Sequence, residues 1–232
     1  MRKQITFIGY IVFALCIFPA NSYAKEVPIE VGEKTIHLYY PANFTDACNN
    51  SRKMKQFVSS YVPDSYKLFT CFLETDMHSV GKEAAILQAR TQKGILNENF
   101  SVNDFRKIRQ TIVENQESML KNILPKAKAS FGKAATESLK QIGSKDALSI
   151  DGIVPLGVFS NTNRNIAFAV LRNLSTQSTD HRKSTQSEID AVNVVLMANK
   201  VIELQVSKNV NTPDDIETAK DLALSWGRLN TR

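Results

Sequence analysis

The side chains best suited to chemistry in this sequence are its three histidines, and they lie far apart. His37, His78 and His181 belong to no motif with the spacing of metal ligands, whereas a protein metal site needs several such ligands in a cluster. Asp76 and His78 together could supply two ligands, but this pattern is more typical of a solvated turn. We therefore expect no metal site and no cofactor.

Motifs for covalent or phosphate chemistry are equally sparse. The Gly-x-Ser-x-Gly pattern of a nucleophile elbow does not occur. Gly132 and Lys133 lack the upstream glycine of a phosphate loop, because Ala127 stands at that position. A Ser-His-Asp set brought together only by the fold stays open. We expect a protein that is not an enzyme, with a secreted hydrolase as the less favoured alternative.

Cysteine usage indicates one disulfide. Apart from Cys16, the sequence has two cysteines, Cys48 and Cys71, and an even number of cysteines in an oxidising compartment favours a disulfide. A catalytic thiol is the alternative, but neither cysteine has a Cys-x-x-Cys spacing or a histidine close in sequence. The third cysteine, Cys16, does not indicate a lipoprotein, because Leu15 precedes it where processing prefers a small residue.

The chain begins with the pattern of a cleavable secretory signal. Arg2 and Lys3 precede an apolar stretch from Ile5 to Pro19 that carries no charge. Small residues surround Tyr23, so we expect cleavage between Ala24 and Lys25. A retained membrane helix is the alternative, but it usually needs about 20 apolar residues. The sequence therefore predicts a signal over residues 1–24 and a single domain over 25–232, located in the periplasm or secreted.

The predicted mature chain is modestly basic. Without Arg2 and Lys3, 27 basic residues face 23 acidic ones, which leaves a net charge of +4. This charge fits weak contact with an anionic membrane surface or glycan, although an ordinary basic protein has the same balance. No arginine cluster is interleaved with aromatic residues, so we expect no nucleic-acid partner. A possible anionic-surface face lies on a predicted helical region and comprises Lys121, Lys126, Lys128, Lys133 and Lys140.

Strand patterns occur on both sides of that helical region. Polar and apolar residues alternate in most of them, and short turns join neighbours into hairpins. The predicted strands are Val27–Val31 with Lys34–Tyr40, then Tyr66–Glu74, Ala84–Thr91, Ala147–Phe159 with Ile166–Leu174, and Ala191–Ala198 with Val201–Lys208. Ala84–Thr91 fits a helix as well as a strand. The polar stretch Ser175–Glu188 is predicted to be a mobile loop.

Helix patterns occur at three places. Ser51–Val62 predicts a short helix, and Ser101–Asp104 begins the long helical region, which Pro125 interrupts. Thr212 and Asp215 predict a capping box for the last helix, on which Trp226 is expected to be a core residue. The fold class predicted is α+β: an antiparallel sheet with helices packed on it and a long helical insert between N-terminal and C-terminal strands.

The order of these elements resembles a family of uncharacterised exported proteobacterial proteins. The resemblance runs from Pro41–Phe44, through the helical insert and Ile153–Phe159, to the Val194–Val206 hairpin and the Pro213–Trp226 helix. The last hairpin and helix also resemble the PsbP-like α/β/α sandwich. That resemblance implies a binding or assembly factor rather than an enzyme, and it supplies no catalytic residues.

Two functions are therefore expected besides the hydrolase alternative. The first is a non-catalytic periplasmic interaction or assembly-support protein with an envelope protein partner. The second is a binder of a small or lipidic ligand in a pocket between the sheet and the long helices.

Overall fold

The computed structural model describes residues 24–75, 84–115, 136, 147–178 and 183–231. Several predicted features lie outside these residues: the signal through residue 23, His78, His181 and the five lysines of the anionic-surface face. Ala24 and Lys25 are described, and cleavage between them remains a prediction.

The first two strands form a hairpin that stands as a sheet of its own. Strand β1 (Lys25–Val31) pairs with β2 (Lys34–Tyr40), as the alternation predicts, and the two make a separate antiparallel ribbon. Gly32 makes the turn with φ of +64°, in the left-handed region that glycine enters without strain. Apolar side chains at every second position, including Val31 and Leu38, are buried.

The main sheet combines strands from both sides of the helical region, as predicted. Seven strands in the described part of the chain form it, in the spatial order β3-β4-β5-β9-β8-β7-β6 with every neighbour antiparallel. They are β3 (Phe44–Asp46), β4 (Tyr66–Glu74), β5 (Ile86–Gln92), β6 (Ala147–Asn161), β7 (Asn165–Gln177), β8 (Lys183–Met197) and β9 (Lys200–Val210).

The ambiguous segment at Ala84–Thr91 is a strand. Its core residues Ile86–Gln92 lie as β5 between β4 and β9, and Leu87 and Ala89 are fully buried there. Pairing on both sides satisfies the backbone hydrogen bonds, and this outweighs the helix propensity of alanine and leucine.

The predicted loop at Ser175–Glu188 is wrong at Ser175–Gln177 and at Lys183–Glu188, which are strand, whereas residues 179–182 lie outside the described part of the chain. β7 continues to Gln177, β8 begins at Lys183, and their pairing extends to Gln177 opposite Lys183. The Ser187 hydroxyl also donates to Asn173 Oδ1 across the pair at 3.0 Å. The polar side chains suggested a loop, but two antiparallel strands can carry polar residues wherever the face is solvated.

Four helices complete the described fold. They are α1 (Ala47–Asn50), α2 (Arg52–Ser60), α3, described over residues 102–115, and α4 (Pro213–Asn230). Thr212 and Asp215 form the predicted capping box of α4. Ser101 and Asp104 do the same for α3, where Ser101 Oγ accepts from the Asp104 N–H and Asp104 Oδ2 accepts from the Ser101 N–H.

Helices cover both faces of the main sheet. On one face, α4 and the β1–β2 hairpin enclose the largest core, in which Trp226, Phe72 and Leu204 are fully buried. On the other face, α1 and α2 pack on β4, while Phe105 of α3 packs on Val192 and Val194 of β8. The predicted α+β class, an antiparallel sheet with helices packed on it, is confirmed.

Candidate functional site

A cavity of about 630 Å³ lies between α3 and the main sheet. It opens on the sheet face opposite to α4, and strands β4, β5, β7, β8 and β9 contribute to its floor. Its lining residues fall into an apolar group and a polar group. The apolar group is Ile95, Phe100, Ile108, Ile112, Phe168, Val170, Val192, Val194 and Val201, and the polar group includes Tyr66, Arg90, Thr91, Gln92, Lys107, Thr111, Asp190, Glu203 and Gln205.

The period of each element explains the apolar walls. Val192 and Val194 of β8 alternate with residues on the α4 side, so both point to the cavity face. Ile108 and Ile112 lie four residues apart on α3 and therefore share one side of that helix. Strand and helix face each other with apolar side chains, and the space between them is suited to an apolar ligand.

The segment before α3 is attached to the β8–β9 turn. The Phe100 N–H donates to the Asn199 carbonyl at 2.8 Å, and buried Lys200 donates through Nζ to the carbonyls of Leu96 (3.3 Å) and Glu98 (2.8 Å). Together with the Ser101–Asp104 capping box, these bonds determine where α3 begins above the sheet.

One end of the cavity carries a cluster of Arg90, Glu203, Tyr66 and Gln92. Arg90 and Glu203 are opposite each other in the β5–β9 pairing, and Arg90 Nε donates to Glu203 Oε2 at 3.2 Å. The Tyr66 hydroxyl donates to Glu203 Oε1 at 2.9 Å and accepts from Gln92 Nε2 at 3.2 Å. The Arg90 guanidinium also lies 4.8 Å from the centre of the Tyr66 ring. Burial, followed by the Glu203 carboxylate, raises the pKa of Tyr66 to about 12.

A second polar cluster lies on the same face of the sheet, four residues farther along β9 than Glu203. Asp190 Oδ1 accepts from Arg172 Nη2 (2.9 Å), Gln205 Nε2 (2.8 Å) and the Ser207 hydroxyl (2.6 Å). Arg172 Nη2 also lies 2.8 Å from Glu188 Oε1. Burial raises the pKa of Glu188, and Arg172 offsets only part of that effect. Burial alone would lower the pKa of Arg172, but Asp190 and Glu188 outweigh it and raise the value.

This arrangement is suited to binding. Both oxygens of Glu203 already accept from protein donors; Asp190 Oδ1 does so too, and Asp190 Oδ2 lies 2.7 Å from Arg172 Nε in an ion pair. Within residues 24–75, 84–115, 147–178 and 183–231, no three potential ligands among His, Cys, Asp and Glu are grouped to hold a metal ion. The cavity offers a large apolar surface beside the Arg90 guanidinium, which donates to the protein through Nε.

Of the residues predicted from sequence, the two cysteines come together. Cys48 of α1 and Cys71 of β4 are bonded, with their Cα atoms 5.1 Å apart. Both are buried in a small cluster with Ala47 and Val58 under α1 and α2. Exposed His37 lies elsewhere, on β2, where its Nδ1 contacts Glu26 Oε1 across the hairpin.

No sequence motif marks Arg90, Tyr66 or Glu203 as a site residue. The signal that could have found them is a charged residue within a strand whose other residues are mostly apolar. Arg90 follows Leu87 and Ala89 in β5, and Glu203 follows Val201 and Ile202 in β9. Charges at such positions are costly unless they are paired, so they indicate a partner on a neighbouring strand.

Comparison with known proteins yields only remote likenesses. No protein-family model matches the chain, and no curated protein matches its sequence. Among solved structures, it is similar to the Saccharomyces cerevisiae Ran-binding protein Mog1p, with 10% identity and a TM-score of 0.38 over 89% of this chain and 94% of that one. It is also similar to LpqN of Mycobacterium tuberculosis, described as involved in cell envelope biogenesis, with 13% identity and a TM-score of 0.27 over 90% of each chain. Likenesses this weak carry no information on function, and the family that the sequence resembles stays a prediction.

In the described residues, no helix is both long enough and apolar enough to cross a membrane.

Proposed function

We propose that this chain is an exported, non-catalytic binding protein that holds an apolar ligand between α3 and the main sheet. The cavity of about 630 Å³ is the observation that carries the proposal. Pockets for small molecules usually measure about 300–1,000 Å³, are largely apolar, and contain a few polar groups that orient the ligand. This cavity has that size and that division between apolar and polar lining.

Export is the second part of the proposal and rests on the sequence. The basic start, the short apolar stretch and the small residues before Lys25 are typical of a cleaved signal. A disulfide between Cys48 and Cys71 fits an oxidising compartment. Expression in a bacterial host and mass spectrometry of the purified protein test this part. A mature chain that begins at Lys25 is expected, and a chain that retains Met1 contradicts export by cleavage.

The ligand-binding part is tested with two tryptophan variants on neighbouring residues of α3. Ile112 lines the cavity, whereas Val113 is 49% exposed and does not line it. Ile112→Trp should fill the space with an indole ring and lower the affinity for a neutral probe such as decanol. Val113→Trp adds the same ring outside and should bind like the wild type.

Isothermal titration calorimetry measures both variants, with circular dichroism as a check on folding. Equal binding by both variants would place the ligand elsewhere. No binding of decanol or of its charged analogues by the wild type would overturn the proposal.

The envelope protein partner expected from the sequence remains a separate prediction. Chemical cross-linking in intact cells, followed by mass spectrometry of attached proteins, tests it. One dominant envelope partner would support an interaction role, and cross-links to cytoplasmic proteins alone would contradict export as well.

A further inference from the structure

We infer that Arg90 binds an anionic head group, so that the ligand of this cavity is a single-chain amphiphile ending in an anionic oxygen group such as a carboxylate. This inference rests on the proposed function, since it names the class of ligand that the same cavity binds. It depends on the hydrogen-bond donors and acceptors around the polar end.

Arg90 has donors to spare. Its Nε donates to Glu203 Oε2, and its two terminal nitrogens have no protein partner among the described residues. A guanidinium carries five N–H donors, of which four belong to those terminal nitrogens. Its side chain is 14% exposed, and neither terminal nitrogen is among the described atoms that are fully buried without a partner, so these donors face the solvent of the cavity. An anion in the cavity can replace that water and accept charge-assisted hydrogen bonds from them.

The carboxylates that line the cavity are already engaged by protein donors. Glu203 accepts from Tyr66 on one oxygen and from Arg90 on the other. Asp190 accepts from Gln205, Ser207 and Arg172. Two cations, Arg90 and Lys107, and two carboxylates, Glu203 and Asp190, line the cavity, so net charge does not choose the ligand. The choice depends instead on the terminal donors of Arg90, which have no protein partner among the described residues.

The geometry around Arg90 also suits a planar anionic group. Its guanidinium carbon lies 4.8 Å from the centre of the Tyr66 ring and only Nε donates to Glu203, so the two terminal nitrogens are available for paired hydrogen bonds to one anionic group. Lys107 of α3 lines the same cavity and adds a second positive charge at its exposed side. The apolar wall formed by residues such as Val194, Phe168 and Ile112 then covers the hydrocarbon chain.

The test is calorimetric titration of the full mature chain with decanoate, decanol and decylammonium, which share one chain length and differ in head-group charge. Decanoate should bind wild type about tenfold or more tighter than decanol, because charge-assisted hydrogen bonds are the stronger kind. Arg90→Gln should lower the decanoate affinity about ten- to a hundredfold and leave decanol binding unchanged. Decyl phosphate in the same series tells whether carboxylate or phosphate is preferred.

Three further variants keep the result interpretable. Arg106→Gln removes the same charge from an exposed position on α3 and should not alter decanoate binding. Arg90→Lys keeps the charge but loses the paired donors, and should give an intermediate affinity. Glu203→Gln retains an acceptor for Tyr66 while removing the competing carboxylate, so decanoate should bind more tightly. Glu203→Gln and Arg90→Lys carry the test if Arg90→Gln does not fold.

The outcomes separate this inference from the proposed function. If decanol and decanoate bind with equal affinity, and Arg90→Gln does not change either affinity, Arg90 does not bind the head group. The apolar cavity would still stand as a binding site. A preference for decylammonium that Glu203→Gln removes would also contradict head-group binding by Arg90. Failure of all probes to bind would overturn both.

Discussion

Asn230, near the C-terminus, holds the backbone of Tyr39 by two hydrogen bonds, although 191 residues separate them. The Tyr39 N–H donates to Asn230 Oδ1, and Asn230 Nδ2 donates to the Tyr39 carbonyl, both at 2.8 Å. The same carbonyl accepts from the indole Nε1 of Trp226, also at 2.8 Å. The last two turns of α4 thereby attach the β1–β2 hairpin to the rest of the fold.

Asn230→Ala should lower the free energy of unfolding by about 2 kcal/mol, because Tyr39 would lose the partner of its N–H and one of two donors to its carbonyl. Chemical denaturation measures the loss. Asn163→Ala, in an exposed turn, is the matched control and should change stability little. Equal stability of the two variants would show that Asn230 does not hold the hairpin.

Gly227→Ala should destabilise the protein, although alanine is the better helix former. A Cβ at residue 227 would lie 1.9 Å from Asn193 Nδ2, a buried amide that donates to the Ala223 carbonyl. The gain of about 1 kcal/mol from helix propensity is smaller than the cost of displacing that amide, about 1–3 kcal/mol or more. Thermal unfolding measures the net loss.

The control for this substitution is Gly94→Ala, because nothing lies within 4 Å of a Cβ at that position. Its melting temperature should stay close to that of the wild type. A Gly227→Ala protein that is more stable than wild type would contradict the close approach of Asn193 to α4.

Loss of the disulfide should lower the free energy of unfolding by about 3 kcal/mol, from the chain entropy of the loop that it closes. Urea denaturation of a Cys48→Ala, Cys71→Ala double variant measures this. A thiol reductant should bring the wild type toward the variant's stability and leave the variant unchanged. Since both cysteines are buried, reduction of the folded protein should be slow. If wild-type protein that has been unfolded and refolded in reductant keeps the same free energy of unfolding, the disulfide is contradicted.

Stability should fall between about pH 10 and pH 12 through Tyr66. Its pKa is about 12 in the folded protein, against about 10 for tyrosine in an unfolded chain. The folded state therefore keeps the Tyr66 proton to a higher pH than the unfolded chain does. The stabilisation that results is complete below the unfolded pKa and is lost as the pH rises through the folded pKa. Unfolding free energies across this range, for wild type and Tyr66→Phe, isolate the effect. Curves that run parallel would contradict the raised pKa.

Local patterns predicted most elements of the fold. Tyr66–Glu74 is a strand with the predicted bounds, and the capping residues Thr212 and Asp215 begin α4 as expected. Such features depend on neighbours in sequence, so a short window contains their cause. The Ser175–Glu188 prediction was wrong because strand pairing between β7 and β8 depends on residues about ten positions apart, and polar composition does not reveal it.

The site was less accessible to sequence reasoning. A pocket between sheet and long helices was among the expectations, but its residues come from β4, β5, β7, β8, β9 and α3, and no motif joins them. Arg90 and Glu203 become partners only because β9 pairs with β5, across 113 residues of chain.

The sequence by itself determined most of the strands and helices, which of their faces are apolar, and that two cysteines remain beyond the predicted signal. Each of these follows from side-chain period, capping or composition, which act over a few residues. Only the tertiary structure decided that the first hairpin forms a sheet of its own and that Arg90 has unpaired donors beside an apolar cavity. The reason is physical: those relationships depend on the strand order of the sheet, and strand order is set by packing between distant segments rather than by any one of them.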